Sequence, residues 1–400
     1  MRTMRAGVPW VIVVLSIAPA FGAGFGFAEQ SAKASGQAGA WIARADDAAA
    51  NWYNPAALVR LEHNEIQFGL NYLDLGSDTH FSPAPGVTFD AVGNVATPAH
   101  FYFAQKIGER LAWGIGVNNP FGLITEWKDL PVVLSSRRAE LRTYLVNPNV
   151  AYEFGKIWSV AVGVDYLAAE VREFSRDILV PVASTVNLTG QGDDWGYNLA
   201  IQAKAGSFSA GVQYRSRLSP EIDGSVDFSG PLGNLLNSAA STQINLPAET
   251  FIGVAWTAKR FEIELAAYNT AWSDFDQIRI DTGNPATSLV LVENWEDTWS
   301  YRLGGAFRFG ADNRHEVRVG GVLDESPVPT RYLRPSIPDS DRTGYTLGYG
   351  FLAAKWGIDA YLMQIDFDDA TANGSPADGV INGTYTSSIL LAGATFKYRF

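Results

Sequence analysis

The 400-residue chain has no cysteine, so neither a disulfide framework nor a thiolate metal site or nucleophile is available to it. Basic residues are scarce. Thirty Lys and Arg stand against 42 Asp and Glu, and the formal charge of −12 excludes the basic surface that nucleic-acid phosphates require. Acidic loops facing solvent or a cation-bridged lipopolysaccharide layer are compatible with that charge. Histidine is rarer still: His63, His80, His100 and His315 are scattered without metal-ligand or triad spacing, so neither a metal nor a catalytic residue is assigned. Asp339, Asp341 and Thr343 imitate part of a calcium loop, but Gly350 stands where the bidentate carboxylate is needed. No glycine-rich nucleotide pattern precedes a helix, and no cofactor is expected. Long apolar runs are also missing, which excludes a bundle of membrane helices. The longest, Val8 to Ile17, follows Arg2 and Arg5 and precedes Ala18, Ala20, Gly22 and Ala23, the pattern of a secretory signal peptide over residues 1–22 with cleavage between Ala20 and Ala23.

What the chain does have is alternation. From Ser387 to Phe400, Leu390, Ala392, Ala394, Phe396, Tyr398 and Phe400 share one face, while Lys397 and Arg399 take the other. Trp299, Tyr301, Leu303, Phe307 and Phe309 likewise oppose Arg302 and Arg308, and Phe261, Ile263 and Leu265 oppose Glu262 and Glu264. Tyr214 and Leu218 oppose Gln213, Arg215 and Arg217 by the same rule. Lipid outside and a polar lumen inside account for such strands, since an arginine facing the bilayer midplane costs about 2–4 kcal/mol. Opposite charges in one lumen are either cross-linked by salt bridges, which favours a filled interior over an open pore, or simply solvated there.

About fourteen strand candidates follow, the even number of bacterial outer-membrane barrels: 65–75, 98–106, 110–118, 138–154, 157–173, 192–205, 208–219, 242–257, 260–280, 297–310, 313–323, 343–355, 357–368 and 387–400. Tight turns such as Gly155-Lys156 and Gly206-Ser207 alternate with long connections such as Gly76 to Thr97 and Asp324 to Arg342. No linker divides the chain, so the expected fold is all-β: a transmembrane antiparallel barrel over 61–400, preceded by a compact non-strand segment over 23–60. Asn54-Pro55 ends any helix begun in that segment near Asp46.

Three stretches go beyond a generic barrel. They are Ala45 to Leu58, containing Asn54-Pro55-Ala56; Leu246-Pro247-Ala248-Glu249, leading into a strand that ends at Trp256; and Asp324 to Arg342, with Pro335-Ser336-Ile337-Pro338-Asp339-Ser340-Asp341-Arg342. In this order they resemble the FadL family of outer-membrane transporters for long-chain fatty acids and other hydrophobic compounds, over nearly the whole mature chain. Val117 to Leu123 is similar to the part of the third strand where that family interrupts its wall, and Gly24-Phe25 to its mature start.

The resemblance implies an N-terminal hatch plugging the lumen, with Asp46, Asp47, Asn54, Pro55 and Ala56 as its motif residues. Asp46 and Asp47 would pair with lumen arginines or cap a short helix. It implies a wall opening at Asn118, Asn119, Pro120 and Gly122, where proline lacks a ladder donor and glycine permits a bend. Phe25 and Phe27 would plug or line a ligand pocket, or anchor the hatch. Phe121, Leu123, Ile124 and Trp127 would begin an apolar collecting loop. For a ligand carboxylate the candidates are Arg142, Arg302 and Arg318, with no motif to choose among them. The function implied is passive, hatch-gated uptake of long-chain fatty acids with lateral release into the membrane by a non-enzymatic monomer. Its partners would be lipid, lipopolysaccharide and, through the Phe400 strand, the barrel-assembly machinery. Uptake of small aromatic or aliphatic hydrocarbons, and a general diffusion porin, remain as alternatives.

Overall fold

The computed structural model describes residues 24–400 except 181, 286, 311 and 376–378. The expected signal peptide lies outside the described residues. Fourteen antiparallel strands close into a barrel: β1 (Glu65–Ala84), β2 (Ala99–Ile107), β3 (Leu111–Asn118), β4 (Arg138–Phe154), β5 (Trp158–Ile178), β6 (Ser184–Ala205), β7 (Phe208–Arg215), β8 (Glu249–Thr257), β9 (Phe261–Thr270), β10 (Thr298–Phe309), β11 (His315–Asp324), β12 (Arg342–Leu352), β13 (Trp356–Phe367) and β14 (Gly383–Arg399). Each pairs with the next, and β1 pairs with β14 from Glu65↔Arg399 to Ser82↔Thr384, which closes the sheet on itself.

Side-chain parity sets the two faces. On β10, Trp299, Tyr301, Leu303 and Phe307 are exposed to the outside while Ser300, Arg302 and Ala306 are buried inside. Outward aromatics gather near both ends of the strands, with Tyr166 against Trp195 at 4.7 Å towards the long loops and Phe261 against Phe307 at 4.8 Å towards the short turns. Such paired girdles mark the two interfaces of a bilayer. The short turns require residues free to take a left-handed backbone: Gly206, between β6 and β7, sits at φ +60°.

Three of the expected strands are shorter than expected. The span read as 208–219 stops at Arg215, and Leu218 is buried in an isolated bridge to Leu246, so its expected outward placement is wrong: the chain turns beyond Arg215 and the alternation no longer applies. The spans 242–257 and 260–280 contract to Glu249–Thr257 and Phe261–Thr270. The segments beyond them belong to the external loops, including a separate two-stranded hairpin of Gln277–Ile280 with Leu289–Val292.

The lumen is filled by the N-terminal segment. Of residues 24–59, all but Gly26, Ala28 and Asp46 are buried. The segment contains short helices at Ala32–Ser35 and Ala50–Tyr53 and a 3-10 turn at Pro55–Arg60. None is long enough to be stable alone, so contacts with the wall hold them.

Candidate ligand site

Wall and luminal segment meet through paired charges. Arg44 is bonded to Glu262 and, at 3.2 Å, to Glu264 on β9, while Glu264 also accepts the Ala43 N–H at 2.7 Å. Arg302 donates to the Ala38 carbonyl at 3.0 Å, and its guanidinium lies 4.4 Å from the Tyr268 ring centre. Asp47 meets Lys397 at 3.4 Å and accepts the Ala49 N–H at 3.0 Å, so it pairs with the wall and caps a turn at once. Its wall partner is a lysine. Asp46 pairs with Lys33 and, at 3.6 Å, with Arg308. Asn54 begins the 3-10 turn by accepting the Ala56 N–H at 3.1 Å, and its amide donates to the Ile42 carbonyl at 3.0 Å, which folds the segment back on itself. Pro55 occupies the first position of that turn, where its missing N–H costs nothing.

The wall is broken at one place facing this segment. Asn118 pairs with Leu145 on β4, and pairing resumes at Gly122↔Arg142, so four steps on one strand match three on the other. The extra residue forces Asn119, Pro120 and Phe121 out of the ladder. Side chains take over there: the Asn119 amide donates to the Thr143 carbonyl at 2.6 Å, and the Phe121 N–H to the Thr143 hydroxyl at 3.1 Å. The second arm, Gly122–Glu126, pairs with β4 only; its other edge has no ladder partner among the described residues.

The first residues of the luminal segment occupy that break. Phe27 donates its N–H to the Pro120 carbonyl at 2.7 Å, Gly122 donates to the Phe25 carbonyl at 2.8 Å, and Gly26 lies opposite Phe121. Phe25 is thereby driven into a cage of four rings: Trp272 at 4.8 Å, Phe275 at 5.3 Å, Trp295 at 5.6 Å and Phe121 at 6.2 Å between centres. Gly24 sits at φ +64°, and a side chain there would run into the Trp295 ring. Its N–H donates to the Asp339 carboxylate at 3.0 Å. Burial pushes that carboxyl up to about 6, against the pull of Arg342 and of the Gly24 N–H.

Beside Phe25 lies an apolar cavity of about 60 Å³, lined by Leu123, Leu141, Val171, Phe174 and Ile244 among others. Pockets that hold drug-sized ligands run to roughly 300–1,000 Å³. With Phe25 in place the cavity is too small for a long acyl chain.

The remaining sequence candidates are dispersed. Phe121 and Leu123 share the Phe25 cluster. Phe27 and Ile124 pack in a second cluster with Leu73 and Leu391, and Trp127 in a third beneath the external loops with Phe81 and Leu333. None of the three candidate arginines lines the cavity. Arg302 is engaged as above, Arg318 is held by Glu316 and by Asp359 at 2.7 Å, and Arg142 is paired with Glu140 at 2.6 Å. Sequence reasoning missed Arg44, Trp272 and Phe275. The last two fell in a span read as strand, although Trp272-Ser273-Asp274-Phe275 breaks the alternation and signals a turn.

A model of the family described as outer membrane protein transport protein (OMPP1/FadL/TodX) matches residues 12–400. The chain belongs to this family. Among FadL-family proteins, it is 26% identical to the long-chain fatty acid transport protein of Salmonella typhi, with 98% of this chain and 97% of that one covered. It is 27% identical to a 47 kDa outer membrane protein of Pasteurella multocida, over 94% of each chain. A Pseudomonas aeruginosa FadL homologue superimposes with a TM-score of 0.85 at 17% identity, covering 94% of this chain and all of that one (100%). The P. putida toluene transporter TodX does so at 0.71 and 14% identity, covering 92% and 98%. The protein is an outer-membrane transporter of the FadL family, and its strands make the crossing.

Proposed function

We propose that the chain is a passive port for hydrophobic molecules, long-chain fatty acids first, in which residues 24–60 act as a hatch. The observation that carries this reading is that residues 25–27 stopper the ring cage and the broken wall at once. A ligand that displaces Phe25 thereby also withdraws the backbone from Pro120–Gly122. The apolar chain then has a sheltered route sideways into the bilayer, which an aqueous pore would deny it. The names of the sequence relatives support the fatty-acid assignment. A hydrocarbon ligand is the second reading, favoured by the four rings around Phe25, which would stack on an aromatic guest as readily as they hold phenylalanine. General diffusion is disfavoured by the burial of the luminal segment, and no catalytic step is assigned. On the same reading the barrel is a monomer, its loops face lipopolysaccharide, and the terminal Phe400 strand is presented to the assembly machinery. Expression in a host unable to take up oleate should restore uptake of labelled oleate. Entry of a polar sugar instead would point to a diffusion porin.

A further inference from the structure

A buried carboxylate needs a cation or several donors facing it. The cavity beside Phe25 offers neither. The charged residues at its edge are acids, Glu140 and Glu173, and the arginine beside them is already committed: Arg138 meets Glu140 at 2.8 Å and Glu173 at 3.6 Å. Arg142 is bound to Glu140 as well, while Arg302 and Arg318 hold the hatch and the wall. Drawing any of these cations towards a ligand would strand a carboxylate elsewhere, at a cost that cancels the gain. The groups held in reserve are neutral. Thr242 lines the cavity, is buried, and its hydroxyl has no hydrogen-bond partner among the described residues. The indole N–H of Trp272, in the cage around Phe25, has none either. Buried polar atoms without partners are uncommon and call for an explanation.

On the reading that this is the ligand site, we propose that it selects an uncharged head group: an alcohol, an ester or a carboxylic acid in its protonated form. Its oxygen takes the free Thr242 hydroxyl and the Trp272 N–H, while its chain replaces Phe25 among the rings. A fatty acid on this account sheds its charge before entering, and Thr242 and Trp272 set the preference for oxygen-bearing ligands over plain alkanes.

The test is equilibrium binding of three labelled ligands of one chain length, oleyl alcohol, methyl oleate and oleate, to the full-length protein in detergent at about pH 9, where a carboxyl is ionised. The alcohol and the ester should bind at least about ten-fold more tightly than oleate. Thr242→Val should weaken the alcohol by roughly two- to ten-fold, the worth of one neutral hydrogen bond, and leave unchanged the binding of octadecene, measured beside the three as a hydrocarbon without oxygen. Oleate binding as well as the alcohol in the unmodified protein overturns the charge selection while leaving the ligand site in place. Saturable binding of none of the three overturns the site itself. The unmodified protein's ranking decides between these outcomes even if the variant fails to fold.

Discussion

Replacing Phe25 by alanine removes the ring on which the closed state turns. That ring is 2% exposed and touches four aromatic neighbours. Truncating a buried phenylalanine costs about 3–5 kcal/mol, and here the cost falls on the docking of residues 24–30, because the barrel ladders do not pass through Phe25. At about 1.4 kcal/mol per decade, the closed-to-open ratio should drop by roughly two to four orders of magnitude. The backbone bonds at Pro120 and Gly122 remain but lose the anchor that registers them. Hydrogen exchange followed by mass spectrometry reads this directly: peptides covering 24–30 and 118–126 should lose protection by about that factor, while β8 to β10 keep theirs. Ligand binding should strengthen, because no ring has to leave first. Unchanged protection at 24–30, or loss of protection throughout the barrel, would refute the idea that Phe25 is a local plug.

Arg44→Ala leaves Glu264 buried with only the Ile42 and Ala43 N–H groups facing it, while Glu262 keeps Arg308, a loss of at most about 3–5 kcal/mol from the seat of the luminal segment. Ion conductance in planar bilayers should rise while the barrel stays folded, and adding Glu262→Gln and Glu264→Gln should lower it again. Deleting Asn119 removes the one extra residue between Asn118↔Leu145 and Gly122↔Arg142 and restores the register. Ligand binding should survive the deletion while uptake is lost, as a transport assay on cells expressing the variant would show.

Much of this architecture is legible in the chain because lipid and lumen impose opposite demands on successive residues. Trp299, Tyr301 and Leu303 against Arg302 on β10 announce both faces without reference to any other strand. The alternation stops informing where the chain leaves the bilayer. Leu218 is buried because the external loops cover it, and Trp272 and Phe275 join the cage because Ala271 turns the chain out of β9. The luminal segment was legible as one that does not alternate, but its seat was not. Arg44 finds its partners more than two hundred residues away, at Glu262 and Glu264, a pairing that no local pattern specifies. Pro120 and Gly122 marked the break in β3, yet the stopper that fills it, residues 25–27, is a matter of tertiary contact. The candidate arginines illustrate the converse: their charge was visible, and their prior engagement was not.

The central claim is that the segment starting at Gly24 must leave the break in β3 before a ligand can pass. Gly26 and Phe121 face each other across an antiparallel bridge, a separation within reach of a disulfide, and the chain has no other cysteine to interfere. With Gly26→Cys and Phe121→Cys together, uptake of labelled oleate should stop under oxidising conditions and return on reduction. Undiminished uptake by the oxidised, cross-linked protein would contradict the account.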